Sequence, residues 1–129
     1  SNLTMLQLTN NQISLIDPQT FSDLRKLTYL SLDLNQFSSI DPQTFSHLSN
    51  LAELYLGNNK IDSIDSQTFS SLSNLVELHL QCNQIKTIDP KTFSNHKRLI
   101  MLRLEHNEMS LDEEQSLRSV EQLNRQALV

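Results

Sequence analysis

Three residues of this chain have types that could do chemistry: His79, Cys82 and His106. A thiolate beside an imidazole can act as a nucleophile, and one thiolate with two imidazoles supplies three of the four ligands of a tetrahedral zinc. The order is His79, then Cys82 three positions on, then His106 a further 24 positions on. Cys82 is the only cysteine, so no CxxC pair accompanies it. No fourth ligand, glycine turn or carboxylate dyad stands nearby. Whether the three residues form a site depends on the elements that carry them.

Those elements repeat. Leucine recurs at 3, 27, 51, 75 and 99, in steps of 24 residues. On that register Leu6, Leu30, Leu54, Leu78 and Leu102 form one column, and Leu8, Leu32, Leu56, Leu80 and Leu104 another. Asn11, Asn35, Asn59, Asn83 and Asn107 follow, then Ile13, Phe37, Ile61, Ile85 and Met109. Ile16, Ile40, Ile64 and Ile88 come next, and Phe21, Phe45, Phe69 and Phe93 close the unit. The alternating LxL is a strand with one buried face, expected over five residues such as 53–57. A single unit cannot bury its leucines, but five stacked at about 4.8 Å make a parallel sheet about 20 Å wide over one apolar core. Cys82 and His106 then share a column about 5 Å apart, with His79 on the same strand as Cys82.

The asparagine column needs partners, because a buried amide is costly unsatisfied. Its donors and acceptor suit backbone groups left free where each strand ends. "IDPQTF", "IDPQTF", "IDSQTF" and "IDPKTF" open the other side of each unit. Asp17, Asp41, Asp65 and Asp89 stand where helical turns want a cap, and Pro18, Pro42 and Pro90 at the first helical position. These aspartates read as caps and not as ligands.

The pattern LxxLxLxxNxIxxIxxxxFxxLxx over residues 3–109 resembles the leucine-rich repeat family, in its 24-residue class. Toll-like receptors and the variable lymphocyte receptors of lampreys carry such repeats. The resemblance implies an α/β solenoid, with a parallel sheet on a concave face and short helical turns on a convex face. It also implies protein or peptide recognition on the concave face. The cysteine-rich caps of those receptors are missing here.

Composition narrows the class of partner. The chain has 129 residues, 37% of them hydrophobic, which suffices for one core. The formal charge of -5 disfavours nucleic acid and anionic membranes as partners. It concentrates after residue 104, where six acids meet only Arg118 and Arg125. One cysteine forms no internal disulfide, the opening residues do not read as a signal peptide, and no apolar run approaches membrane-spanning length. Family resemblance favours an extracellular or cell-surface place, while the single cysteine also permits the cytoplasm. Asn2 opens a lone "NLT" sequon, a short motif of little weight.

Two domains are expected: a solenoid over 1–109 and an amphipathic capping helix over 110–129. Ser110 with Glu113 makes a capping box, and Leu117, Val120, Leu123, Ala127 and Leu128 lie on one stripe. His96 replaces the leucine of Leu24, Leu48 and Leu72, and is expected at a frayed, partly exposed position. At the other end Leu3, Leu6, Leu8, Ile13 and Phe21 are expected to face water. That end reads as a truncation, or as a surface through which copies associate.

Function is expected where folding leaves the sequence free. Those positions flank LxL: Met5, Tyr29, Glu53, Glu77 and Met101 in one row, Gln7, Ser31, Tyr55, His79 and Arg103 in the next, and Asp33, Gln81 and Glu105 in a third. Tyr29 and Tyr55 offer rigid aromatic anchors beside acids, which suits a protein or peptide ligand of basic character. No enzyme, catalytic residue, metal or cofactor is expected, and His79 and Cys82 read as neighbours by strand geometry. The alternative is a structural or self-associating segment of a longer receptor or scaffold protein.

Overall fold

The computed structural model describes residues 1–127. Five parallel strands form one sheet in chain order: β1 (Met5–Gln7), β2 (Tyr29–Ser31), β3 (Glu53–Tyr55), β4 (Glu77–His79) and β5 (Met101–Arg103). Leu6, Leu30, Leu54, Leu78 and Leu102 stand in register across it. A helix, α1 (Leu111–Ala127), follows the last strand.

The regular strands are three residues long and not the five expected. Pairing continues past them, as Leu32 N–H donates to the Tyr55 carbonyl at 2.8 Å and Leu34 N–H to that of Gly57 at 3.1 Å. The strand is cut short because the chain turns left-handed at the eighth position of every repeat. Asn10, Leu34, Asn58, Cys82 and His106 all have φ between 55° and 62°. Asparagine, and to a lesser degree histidine, tolerates that region, whereas leucine and cysteine are strained there.

The asparagine column forms the expected ladder. Nδ2 of Asn59 donates to the carbonyls of Leu56 and Leu32, both at 3.1 Å, and its Oδ1 accepts the N–H of Phe37 at 3.2 Å. Asn35, Asn83 and Asn107 repeat this with the repeat before each. Asn11 reaches only into its own repeat, to Leu8 and Thr9.

On the convex side, Oδ1 of Asp17, Asp41, Asp65 and Asp89 accepts the N–H two residues on, at 2.7–2.9 Å. Only the fourth copy is a regular 3-10 turn, Pro90–Phe93, with Pro90 at its start. The others are hydrogen-bonded turns closed by bonds such as Thr20 N–H to the Asp17 carbonyl at 2.9 Å. Phe45, Phe69 and Phe93 stack beneath them at 6.4 and 6.2 Å.

Two burial expectations are corrected. Phe21 is 2% exposed, because it ends the first turn and shares the core of the second repeat; Leu6, Leu8 and Ile13 are half-buried, and Leu3 alone of the five is exposed. His96 is not frayed but 2% exposed. It lies in the core because α1 closes over it. The helix docks through Leu117, Val120, Glu121 and Asn124, on one face at helical spacing. Leu123 and Ala127 of the expected stripe are exposed, and Leu128 lies outside the described residues. Nδ2 of Asn124 donates to the carbonyls of His96 and Leu99, both at 2.7 Å, so backbone carbonyls decide which face docks. Ser110 caps the helix, its Oγ accepting the N–H of Glu113 at 3.2 Å.

Two substitutions test this skeleton by urea unfolding. Asn59→Leu strands backbone groups of two repeats and is expected to cost about 3 kcal/mol, against less than about 1 kcal/mol for Asn11→Ala. Leu34→Asn relieves left-handed strain at an exposed site and is expected to add about 0.5–1 kcal/mol.

Candidate functional site

Strand alternation sends the rows flanking the buried leucines to the concave face. In register, Tyr29, Glu53, Glu77 and Met101 lie side by side, as do Ser31, Tyr55, His79 and Arg103. Tyr29 and Tyr55 meet diagonally, with ring centroids 5.1 Å apart and planes tilted by 41°. Tyr55 and His79 are stacked at 4.2 Å and 16°. Three rings from three strands thus form one row.

Two carboxylates border the rings. The Tyr55 hydroxyl donates to Glu53 Oε1 at 2.8 Å, and His79 Nε2 lies 3.1 Å from Glu77 Oε1. An ionised carboxylate only accepts, so Nε2 carries the hydrogen. Burial, then the bond to Glu53, then the charges of Glu53 and Glu77 push the Tyr55 hydroxyl far above its ordinary value. It stays a donor across the physiological range.

The third row is polar and interlocked. Asp33 Oδ1 accepts the Gly57 N–H at 2.7 Å. Burial raises the Asp33 carboxyl, outweighing that bond and the nearby His79. At Gly57 a Cβ would lie 2.7 Å from the amide nitrogen of Gln81, so the missing side chain leaves room for Gln81 to lie over it. Glu105 accepts from Arg103 at 2.8 Å and from Arg118 of α1 at 3.3 Å. Burial opposes its ionisation, but the two arginines prevail and hold its carboxyl below the ordinary value.

Accessibility divides the expected residues. Met5, Gln7 and Arg103 are exposed, and Tyr29, Asp33, Glu53, Tyr55, Glu77, Gln81, Met101 and Glu105 are half-buried. Ser31 and His79 are 2% and 7% exposed, so they support the face and offer it little surface. Ser31 instead bonds Thr9, oxygen to oxygen at 2.6 Å. The pairing of acid with ring had a signal in the sequence: "ELY" and "ELH" stand in successive repeats, and residues two apart share a strand face. The part of Arg118 had none, because it depends on how α1 docks.

His79, Cys82 and His106 do not gather. His79 turns to Glu77, while Cys82 and His106 sit in the left-handed turns at the rim. No group of three His, Cys, Asp or Glu side chains placed to hold a metal occurs among the described residues.

The repeat and the fold have counterparts among known proteins. The sequence profile of the leucine rich repeat family matches residues 1–37, 25–81, 49–109 and 73–125. The chain belongs to the leucine-rich repeat family. Among solved structures, this leucine-rich repeat is similar to the Toll–Spatzle complex of Drosophila, at 31% identity and TM-score 0.79 over 84% of this chain. The glycosylated form of that complex matches at 31% identity and TM-score 0.77 over 82% of this chain. In both cases the match spans 16% of the solved chain. A comparison with curated proteins finds no match. No helix among the described residues is long and apolar enough to cross a membrane.

The state of Tyr55 can be read directly. Followed by near-ultraviolet absorbance, Tyr55 is expected to ionise well above the ordinary tyrosine value of about 10. Glu53→Gln removes the charge beside it and is expected to bring that ionisation down. Equal titration in both proteins would mean that the Glu53 bond is not formed in solution.

Proposed function

We propose that this leucine-rich repeat is a non-catalytic recognition module that binds a protein or peptide of basic character on its concave face. The observation that carries the reading is the row Tyr29–Tyr55–His79, edged by the carboxylates of Glu53 and Glu77. Stacking and hydrogen bonds hold these side chains in place before any partner arrives, which lowers the entropy lost on binding. Tyrosine presents apolar area with a polar tip, and two neighbouring carboxylates favour an arginine or lysine between them. The similar Toll structures are complexes with a protein, Spatzle, which supports a protein partner here. The acidic balance of the chain points the same way.

Peptide display against the immobilised chain, followed by titration of the recovered peptides, tests this. Recovered peptides are expected to be rich in arginine and lysine. Tyr29→Ala or Tyr55→Ala is expected to weaken them at least about tenfold, or about 1.4 kcal/mol, while circular dichroism stays unchanged. Peptides that bind both variants as tightly as the parent would remove the concave face from the proposal.

One observation favours a second reading, in which the chain associates through its first repeat. No strand among the described residues pairs with the outer side of β1. Around that edge Leu3 and Met5 are 41% and 58% exposed, and Leu6, Leu8 and Ile13 are half-buried. Light scattering across a concentration series is then expected to show a dimer that Leu6→Asp disperses. A monomer at every concentration would end this reading.

A further inference from the structure

His96 is the one polar residue in the leucine column of Leu24, Leu48 and Leu72. Its ring is buried, edge-on to Phe93 with centroids 5.7 Å apart. Nε2 lies 2.8 Å from the Phe69 carbonyl. A carbonyl only accepts, so Nε2 carries the hydrogen and Nδ1 of the neutral ring does not. Nδ1 is buried and has no partner. The backbone of the same residue holds α1, since Asn124 donates to the His96 carbonyl.

We propose that His96 is an acid-sensitive latch: a proton on Nδ1 cannot be accommodated while α1 is docked, so acidification releases the helix from the last repeat. A protonated Nδ1 would be a donor without an acceptor inside the core, a costly group to bury. Undocking returns the ring to water, where the proton is free to bind.

The surrounding charges do not relieve this. On α1, Glu121 is buried against the last repeat, 3.8 Å from Arg118 and 3.6 Å from Arg125, and Glu113 and Glu114 are half-buried nearer the helix start; none of the three forms an ion pair with His96. Lys91 lines the convex groove of about 250 Å³ that borders His96, and an ammonium offers no acceptor to a protonated ring. Lys97 adjoins His96 in sequence with the same sign, and Arg98 is turned to Asn74 at 3.0 Å. The Phe69 side offers a carbonyl that is already in use. Burial accordingly lowers the affinity of His96 for a proton, with the Phe69 bond a smaller opposing effect.

The sign follows. Above the ordinary histidine value of about 6.5 the ring is neutral whether α1 is docked or not, and the latch is closed. Below it the undocked form takes a proton that the docked form refuses, so the open fraction rises by up to about tenfold per pH unit. The rise stops only when the docked form titrates as well.

Amide hydrogen exchange on the full chain, corrected for the intrinsic pH dependence, reads the open fraction of residues 111–127. Between about pH 7 and about pH 5 the parent is expected to open by more than about tenfold, with β2 and β3 unchanged. His96→Gln, which keeps a donor for Phe69 but does not titrate, is expected to stay within about twofold over the same range. His96→Leu restores the residue of the other columns and is expected to be equally flat, so the test stands if the glutamine variant folds poorly. Glu121→Gln is expected to keep the slope of the parent. A parent without pH dependence in α1, or a slope that survives in both His96 variants, would overturn the proposal.

Discussion

Every other feature of the molecule depends on one side-chain amide. Each inner asparagine bonds a carbonyl three residues back, a carbonyl 27 residues back and an N–H 22 residues back, as Asn83 does with Leu80, Leu56 and Ile61. Those separations can be met together only if the chain returns to the same place every 24 residues. An inserted residue between two asparagines would misalign at least one bond and leave a buried backbone group bare. The amide thus sets the length of the unit, and the length sets the register of the strands. With the register fixed, the leucines of successive turns fall on one another and the core closes. Hydrophobic burial supplies the driving force, but it is not directional and would not by itself choose 24.

The same constraint divides the sequence into two kinds of position. Residues that touch the core are nearly identical from turn to turn, whereas those between them differ widely. The free residues on the concave side are nevertheless not loose. Tyr55 is tied to Glu53, His79 to Glu77, Asp33 to Gly57, and Arg103 to Glu105. Of these, Arg103 with Glu105 is an exposed pair and adds little to folding stability. The effect of these ties is to fix where aromatic area and negative charge stand, which matters to a partner more than to the fold. Gly57 has the same role in reverse: its missing side chain makes room for Gln81.

The periodic part of the structure was legible in the sequence because each of its features is written four or five times. The strand centres, the asparagine ladder and the aspartate caps could all be placed from columns alone. What escaped was whatever occurs once. A frayed position is expected at His96 because its cover, α1, has no counterpart in the other turns. The docking face of α1 departs from the expected stripe for a related reason. Leu123 and Ala127 extend an apolar stripe, yet the carbonyls of His96 and Leu99 needed a donor, and Asn124 met that need. The left-handed turn was also missed, because Leu34, Cys82 and His106 share no chemistry that would announce it. On the concave face, alternation gives which residues stand in register. It does not give side-chain exposure, so Ser31 and His79 fall in those rows although they are buried.

The ring spacings show the chain to be a wedge. Along the convex spine successive phenylalanines are 6.4 and 6.2 Å apart, while on the concave side Tyr55 and His79 are 4.2 Å apart. Each turn of the solenoid is therefore wider at its back than at its front, and the stack bends as an arch does. Flattening the arch would require the concave contacts to lengthen or the convex ones to shorten. The concave rings thus register the curvature of the molecule, and a body that lodges against them and one that bends the stack act on the same few ångströms.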